Sequence, residues 1–220
     1  MDNIDTKNAL TDSILEYGTI ETESSNGRIK CLNIIGTIEG HNLLPDTVKT
    51  TKYEHVLPEL VATEEDENID GLLLLLNTVG GDVEAGLAMA EMISGMKKPT
   101  VSLVLGGSHS IGVPLAVSTK KSFIVPSATM TIHPLRINGV VISVMQTFKY
   151  LNKMQDRIVE FVIRNSNISY EKYKELMLKT DEIANDVGTV LFGEQAVEVG
   201  LVDQVGGVGD ALQALYEMFK

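Results

Sequence analysis

The sequence predicts an α/β fold with a mostly parallel sheet, and three observations lead to this prediction. Apolar strand-like runs recur along the chain, from "IDGLLLLLN" through "TVSLVLGG" to "SFIVPSATMTI". Such runs are typical of strands that are buried on both faces of a sheet. Helical segments separate the runs, and glycines such as Gly80 and Gly81 mark the turns. Alternation of strand and helix is typical of parallel strands joined by crossover helices.

The elements on either side of this region are predicted from the spacing of apolar residues and from turn and cap residues. "RIKCLNIIGTI" predicts a strand that ends at Gly36 or shortly after, and "TTKYEHVLPELVATEED" predicts a helix despite Pro58. "SYEKYKELMLKT" predicts a helix capped by Ser169. "GEQAVEVGLVDQVGG" predicts a short helix, a turn at Gly200 and a last strand, before a closing helix "GDALQALYEMF".

A long amphipathic helix is predicted between Val144 and Asn165, because apolar residues recur there every three or four positions. Two interpretations stay open for it. It is either a core helix or a projecting arm whose apolar stripe contacts another subunit.

Length and composition predict one domain with an N-terminal extension. With 220 residues, 44% of them hydrophobic, the chain can bury one sizeable core. Residues 1–27 are polar and acidic without a sustained period, which predicts a flexible arm. Residues 28–220 are expected to form the single folded domain.

Charge and cysteine content exclude several classes of function. The chain has 30 acidic and 18 basic residues, and its formal net charge of -12 opposes binding to nucleic acid. The single cysteine, Cys31, cannot form a disulfide or a metal cluster within one chain, so we expect a small core residue in a reducing compartment. No histidine pair has metal-ligand spacing, and no apolar run is long enough to span a bilayer. We therefore expect a cytoplasmic protein without metal, cofactor or transmembrane segment.

Ser110 is the first candidate for chemistry, because it follows a strand and precedes a helix in "GGSHSIGVPLAV". A hydroxyl at such a tight turn lies beside the free N–H groups that open the helix. The strict G-x-S-x-G motif is absent, since Ser108 stands where the first glycine is required. A helix cap formed by Ser108 and Ser110 is the alternative.

Two further features lie at strand ends. Gly80 and Gly81 allow backbone N–H groups to approach a ligand, although a glycine pair is also an ordinary turn. His133 closes the strand "ATMTI", where a histidine is well placed to act as a general base, although a lone histidine is more often structural.

Taken together, "NTVGGDVEAG", "GGSHSIG", "MTIHP" and "QAVEVGLVD" resemble the proteolytic subunit of the Clp protease. The resemblance covers Gly71 to Pro134 and returns from Gln195 to Asp203. It implies a ClpP/crotonase-like superhelix of strand-helix repeats with a protruding handle helix. It also implies a serine endopeptidase that cleaves peptides or unfolded polypeptides, with a link to preprotein or signal-peptide processing in secretion.

The resemblance also implies roles for individual residues. Ser110 would be the nucleophile and His133 the general base, while the N–H groups of Gly81 and Ile111 would form the oxyanion hole. The position of the family's aspartate falls on Gly188 here, which has no carboxylate. Asp186, two residues earlier, is predicted as the acid, and it fits if two extra residues lie between it and Gln195.

Asp181 is the weaker alternative for the acid. Other departures from the family are Val79, which replaces a proline, and "PLRINGVVI", which replaces a glycine- and glutamine-rich segment.

For partners, the resemblance implies a homo-oligomer of heptameric rings. The N-terminal arm does not resemble the loops with which relatives engage a Clp-type ATPase, so dependence on such a partner is not expected. Any approach to the membrane is expected to occur through partners.

Three alternatives stay open. A crotonase-like acyl-CoA enzyme shares the superfold and would not need Ser110. A catalytically weak ClpP-like scaffold is compatible with the missing aspartate. A Ser-Lys dyad that uses Lys120 or Lys121 would not need His133.

Overall fold

The computed structural model describes residues 18–137, 143–181 and 187–219. Its strands are β1 (Thr19–Ser24), β2 (Gly27–Glu39), β3 (Thr50–Lys52), β4 (Gly71–Gly81), β5 (Thr100–Ser108), β6 (Lys121–Ile124), β7 (Thr129–Ile132), β8 (Thr189–Phe192) and β9 (Gln204–Val205). Its helices are α1 (Tyr53–Glu65), α2 (Val83–Ser94), α3 (Gly112–Val117), α4 (Val144–Arg164), α5 (Tyr170–Met177), α6 (Gly193–Glu198) and α7 (Val208–Glu217).

The strands form a mostly parallel sheet, as predicted. Its order is β1-β2-β4-β5-β6-β9, and every pair along it is parallel except the hairpin of β1 with β2. β7 begins beside the end of β5, where one parallel bridge joins Gly107 to Thr129. β8 pairs with β7 antiparallel. The carboxyl ends of β4, β5 and β7 therefore lie close together.

Both faces of the sheet are covered, which explains the continuous apolar runs. Leu72, Leu74 and Leu76 of β4 face the larger core beneath α1 to α4, whereas Leu73 faces a smaller core against α7. The alternation follows from the two-residue period of a strand. Cys31 is buried in the smaller core, as expected of a small core residue.

Helix α4 has features of both interpretations given above, a core helix and an arm with an exposed apolar stripe. Its carboxyl-terminal half packs in the core through residues such as Ile158 and Phe161. Its first two turns expose Val144, Met145 and Phe148.

The structure differs from expectation near the amino terminus. Residues 19–24, inside the segment expected to be an arm, form β1 and pair with β2, while residues 1–17 lie outside the described residues. β2 ends at Glu39, shortly after Gly36 as predicted, and its pairing with β4 has a register shift between Gly36 and Thr37. Ser169 caps α5 as predicted, by accepting a hydrogen bond from the Lys172 N–H.

Candidate active site

Ser110 occupies a strained turn between β5 and α3. Its φ is +58°, and it is the one residue other than glycine with a positive φ in the described part of the chain. The Gly112 N–H donates to the His109 carbonyl at 2.9 Å, and the Val113 N–H donates to the Ser110 carbonyl at 3.0 Å. A left-handed conformation at a non-glycine residue is uncommon and is typical of functional turns.

The helix-cap alternative is wrong for this turn. No side chain caps the start of α3. The buried Ser108 hydroxyl instead donates to the Gly112 carbonyl at 2.6 Å. The Ser108 side chain therefore supports the turn from within, and the half-buried Ser110 side chain has no capping role.

Thr131 of β7 holds the turn at two points. The Ser110 N–H donates to the Thr131 carbonyl at 2.9 Å. The Thr131 Oγ1 is hydrogen-bonded to His109 Nδ1 at 2.8 Å. Since His133 lies two residues beyond Thr131, these bonds fix the position of the serine turn relative to the strand end that carries His133.

The glycine pair ends β4 directly beside this turn. Gly80 has φ +88° and Gly81 has φ +153°, both in the region that favours glycine. A Cβ on Gly80 would lie 2.8 Å from the Ser110 Cβ, and one on Gly81 would lie 2.2 Å from the Ile38 carbonyl oxygen. The pair is therefore a site of close backbone approach as well as a turn.

Four of the predicted site residues border one cleft of about 250 Å³, namely Gly81, Ser110, Ile111 and His133. The rest of its lining is mainly apolar and consists of Val79, Val83, Ile132, Leu135, Arg136, Ile158 and Tyr173. The fold thus brings together groups that are separated by up to 52 residues along the chain.

The His133 imidazole has a defined tautomer. Its Nδ1 lies 2.7 Å from the Pro134 carbonyl oxygen. Because a carbonyl oxygen only accepts, Nδ1 carries the proton, and Nε2 of the neutral ring is left to accept one. Within the described residues the Ser110 hydroxyl makes no hydrogen bond to this ring, so proton transfer requires the two groups to approach within the cleft.

The acid predicted for His133 falls outside the described residues, since Asp186 belongs to the segment 182–186. Gly188 packs directly on the histidine, and a Cβ there would lie 2.8 Å from the His133 Cβ. The Gly188 N–H donates to the Lys179 carbonyl at 2.7 Å and so closes the loop that carries both candidate aspartates. Asp181 is exposed, and no carboxylate in the described ranges is hydrogen-bonded to His133.

His109 lies behind the site rather than in it. Burial, and secondarily the nearby His133, lower the pKa of His109 below its ordinary value. The ring is therefore neutral near pH 7, where it bonds to Thr131.

Lys120 lies at the far end of β5. Its ammonium group donates to the Lys97 carbonyl, and its N–H donates to the Thr100 Oγ1 at 3.0 Å. Thr100 begins the strand and Ser110 follows its end, so the two are roughly 25–30 Å apart. A Ser-Lys dyad that uses Lys120 is therefore wrong.

Comparison with known proteins places the chain in a family. A family model described as Clp protease matches residues 26–208. The chain belongs to the Clp protease family. The family membership expected from the strand-end motifs is thereby confirmed.

Two curated members of the Clp protease family show how close the relationship is. This chain is 58% identical over 200 residues to the translocation-enhancing protein TepA of Halalkalibacterium halodurans. The aligned residues cover 91% of this chain and 77% of that protein. It is 29% identical over 137 residues to the ATP-dependent Clp protease proteolytic subunit of Lactococcus lactis subsp. cremoris, over 59% of this chain and 68% of that one.

The Clp protease fold is confirmed by a solved structure. A mutant of ClpP1 from Listeria monocytogenes matches with a TM-score of 0.65 and 22% identity, over 83% of this chain and 94% of that chain. Within the described residues, no helix is long and apolar enough to cross a membrane, and no group of three or more His, Cys, Asp or Glu side chains is arranged to hold a metal ion.

Three residues of the site were missed by the sequence reasoning. Thr131 holds the serine turn, while Tyr173 and Arg136 border the cleft. A tyrosine on the apolar side of α5 was the available signal for Tyr173. Nothing local marks Thr131, because its role depends on a contact between β7 and the turn after β5.

Proposed function

We propose that this member of the Clp protease family is a serine endopeptidase that cleaves peptides or unfolded polypeptides. The observation that carries the proposal is the left-handed turn of Ser110, which borders the same cleft as His133, Gly81 and Ile111. Nucleophilic catalysis by a serine requires an exposed hydroxyl on such a turn and a histidine whose Nε2 is left to accept its proton, as the bond from Nδ1 to the Pro134 carbonyl leaves it in His133.

In this mechanism Ser110 Oγ attacks the peptide carbonyl carbon while His133 Nε2 takes its proton. The N–H groups of Gly81 and Ile111 stabilise the oxyanion of the tetrahedral intermediate. The imidazolium then returns the proton to the leaving amine, and a water molecule releases the acyl group by the same route. The Pro134 carbonyl holds the tautomer, and Asp186 is proposed as the acid that stabilises the imidazolium.

We further propose that the active form is a homo-oligomer of heptameric rings. The apolar residues exposed on the first two turns of α4 support this assembly, since such a surface is typical of a protein contact. Fifty-eight per cent identity to a protein named for enhancing translocation supports substrates among preproteins or signal peptides. A cytoplasmic location, with approach to the membrane through partners, follows from that role.

Hydrolysis of casein and of short fluorogenic peptides by the purified full chain tests the proposal. Turnover is expected in the wild type and is expected to fall at least about 10³-fold in both Ser110→Ala and His133→Ala. Ser127→Ala is the matched control, because Ser127 lies in an exposed turn outside the cleft. Turnover that survives Ser110→Ala contradicts the serine mechanism, and a folded oligomer without any turnover favours the scaffold alternative.

A further inference from the structure

Tyr173 is a buried tyrosine in the wall of the cleft. It belongs to α5, is 3% exposed and packs within the larger core. Its hydroxyl makes no hydrogen bond with any of the described residues, although the ring borders the same cleft as Ser110 and His133. Burial raises the pKa of Tyr173 well above its ordinary value, so the phenol stays protonated and is able to donate.

The Tyr173 hydroxyl needs a hydrogen-bond partner. Among the described residues the one buried side-chain oxygen without a partner is Thr19 Oγ1, so the Tyr173 hydroxyl is open to the cleft although its ring is buried. Water satisfies such a hydroxyl in an empty cleft, and an occupant that displaces the water must replace its hydrogen bond. The cleft that Tyr173 borders is lined mainly by hydrocarbon, for example Val83, Leu135 and Ile158. The space left for a partner is the cleft itself, so the group that satisfies the hydroxyl is supplied by whatever occupies the cleft.

The lining also limits the charge of that occupant. No carboxylate borders the cleft among the described residues, and Arg136 is exposed to solvent. An occupant's carboxylate would lose its hydration on entering these apolar walls, and a single phenol donor does not replace that hydration. A neutral polar group loses much less, and one hydrogen bond is enough to satisfy it.

We propose that Tyr173 determines substrate specificity by hydrogen-bonding to a neutral polar group at the end of the substrate side chain that fills the cleft. Such a side chain is aliphatic along its length and ends in an amide, as in glutamine. This inference rests on the proposed peptidase function and names the substrate class of the same site. Tyr173 is thus a specificity-determining residue and takes no part in bond cleavage.

The test compares two peptides that differ only in the residue before the scissile bond, glutamine or methionine. These side chains have similar length and no branching, but only the amide can bond to the phenol. The wild type is expected to cleave the glutamine peptide with the higher kcat/KM. Tyr173→Phe is expected to lower kcat/KM about threefold to tenfold for the glutamine peptide, and to leave the methionine peptide within about twofold.

Tyr170→Phe is the matched control, because Tyr170 lies one turn earlier on the same helix but is 47% exposed and does not border the cleft. It is expected to change neither peptide. A preference for methionine in the wild type overturns the proposal. Equal effects of Tyr173→Phe on the two peptides also overturn it, once circular dichroism shows that the variant is folded.

Equilibrium binding separates this inference from the proposed function. The same two peptides, measured against Ser110→Ala with and without Tyr173→Phe, report the hydrogen bond without any cleavage. Tighter binding of the glutamine peptide that disappears with Tyr173→Phe supports the inference even if no peptide is hydrolysed. Equal affinity for the two peptides, including no measurable affinity for either, overturns it.

Discussion

Gly80 and Ser110 lie so close together that a Cβ on Gly80 would be 2.8 Å from the Ser110 Cβ. The same added carbon would lie 2.7 Å from the His109 carbonyl oxygen. The end of β4 and the turn after β5 are therefore fitted to each other at the backbone. The position of Ser110, the proposed nucleophile, depends on a residue 30 positions earlier that carries no functional group.

Gly80→Ala is expected to displace the Ser110 turn, because the methyl group has no room and φ at Gly80 is +88°. We expect a loss of peptide hydrolysis and a loss of about 1–3 kcal/mol or more in the free energy of unfolding. Hydrolysis assays and urea denaturation measure the two effects.

Gly209→Ala is the control for this substitution. Nothing lies within 4 Å of a Cβ at Gly209, which is in helix α7. Alanine there is expected to keep activity and to raise stability by about 0.5–1 kcal/mol. If Gly80→Ala behaves like Gly209→Ala, the close fit between β4 and the serine turn is contradicted.

Asp186→Asn is expected to lower kcat by about 10- to 100-fold. This loss is smaller than the roughly 10⁴-fold loss that follows when an amide replaces the acid of a triad and imposes the wrong histidine tautomer. The reason is that the Pro134 carbonyl already accepts from Nδ1 of His133. The variant is therefore expected to lose the charge that we propose stabilises the imidazolium, and to keep the tautomer. Peptide hydrolysis at saturating substrate gives kcat.

Asp181→Asn provides the comparison on the same loop and is expected to stay within about twofold of wild type, since Asp181 is exposed. A larger loss in Asp181→Asn than in Asp186→Asn would assign the acid to Asp181. A 10⁴-fold loss in Asp186→Asn would contradict the role of the Pro134 carbonyl.

Protonation of His109 is expected to destabilise the protein in mild acid. The pKa of His109 is lowered from 6.5 in the folded chain, mainly by burial, so the unfolded state binds a proton more readily. Stability that is present above about pH 6.5 is therefore lost as the pH falls toward the lower folded pKa. His109→Gln is expected to flatten this part of the Tm-against-pH curve, and an unchanged slope would count against it.

Phe148→Glu is expected to break the proposed ring assembly, because Phe148 is 60% exposed in the single chain on the apolar first turns of α4. The substitution removes no core contact, so the protomer's own stability should change by less than about 0.5 kcal/mol. Analytical ultracentrifugation measures the species formed. Val208→Glu, at an exposed valine of α7, is expected to leave the assembly intact, and an intact assembly in Phe148→Glu argues against a contact through α4.

The sequence predicted elements wherever local signals agreed with tertiary structure. The apolar run of β4, the period of α4 and the Ser169 cap are strong local signals, and all three elements are present. β8 was missed, because "TVLF" is only four residues long and is ordered by its pairing with β7. β1 was missed for a related reason, since its polar residues are held by a hairpin and not by burial.

The residues of the candidate site fall into the same two groups, those that local sequence signals locate and those that depend on tertiary contacts. Ser110 and His133 stand at strand ends that the apolar pattern locates, so the sequence could name them. The bond of Thr131 to His109 and the place of Tyr173 in the cleft wall both depend on how distant elements pack, and nothing in the immediate sequence of either residue specifies that packing. Both observations required the arrangement of β5, β7 and α5 in space.

A fluorophosphonate probe reacts with an activated serine, so its labelling identifies the nucleophile without a known substrate. We expect one labelled peptide, the one that contains Ser110, with labelling abolished in Ser110→Ala and strongly slowed in His133→Ala. Labelling that persists in Ser110→Ala, or a folded wild type that is not labelled at all, would rule out Ser110 as the activated serine.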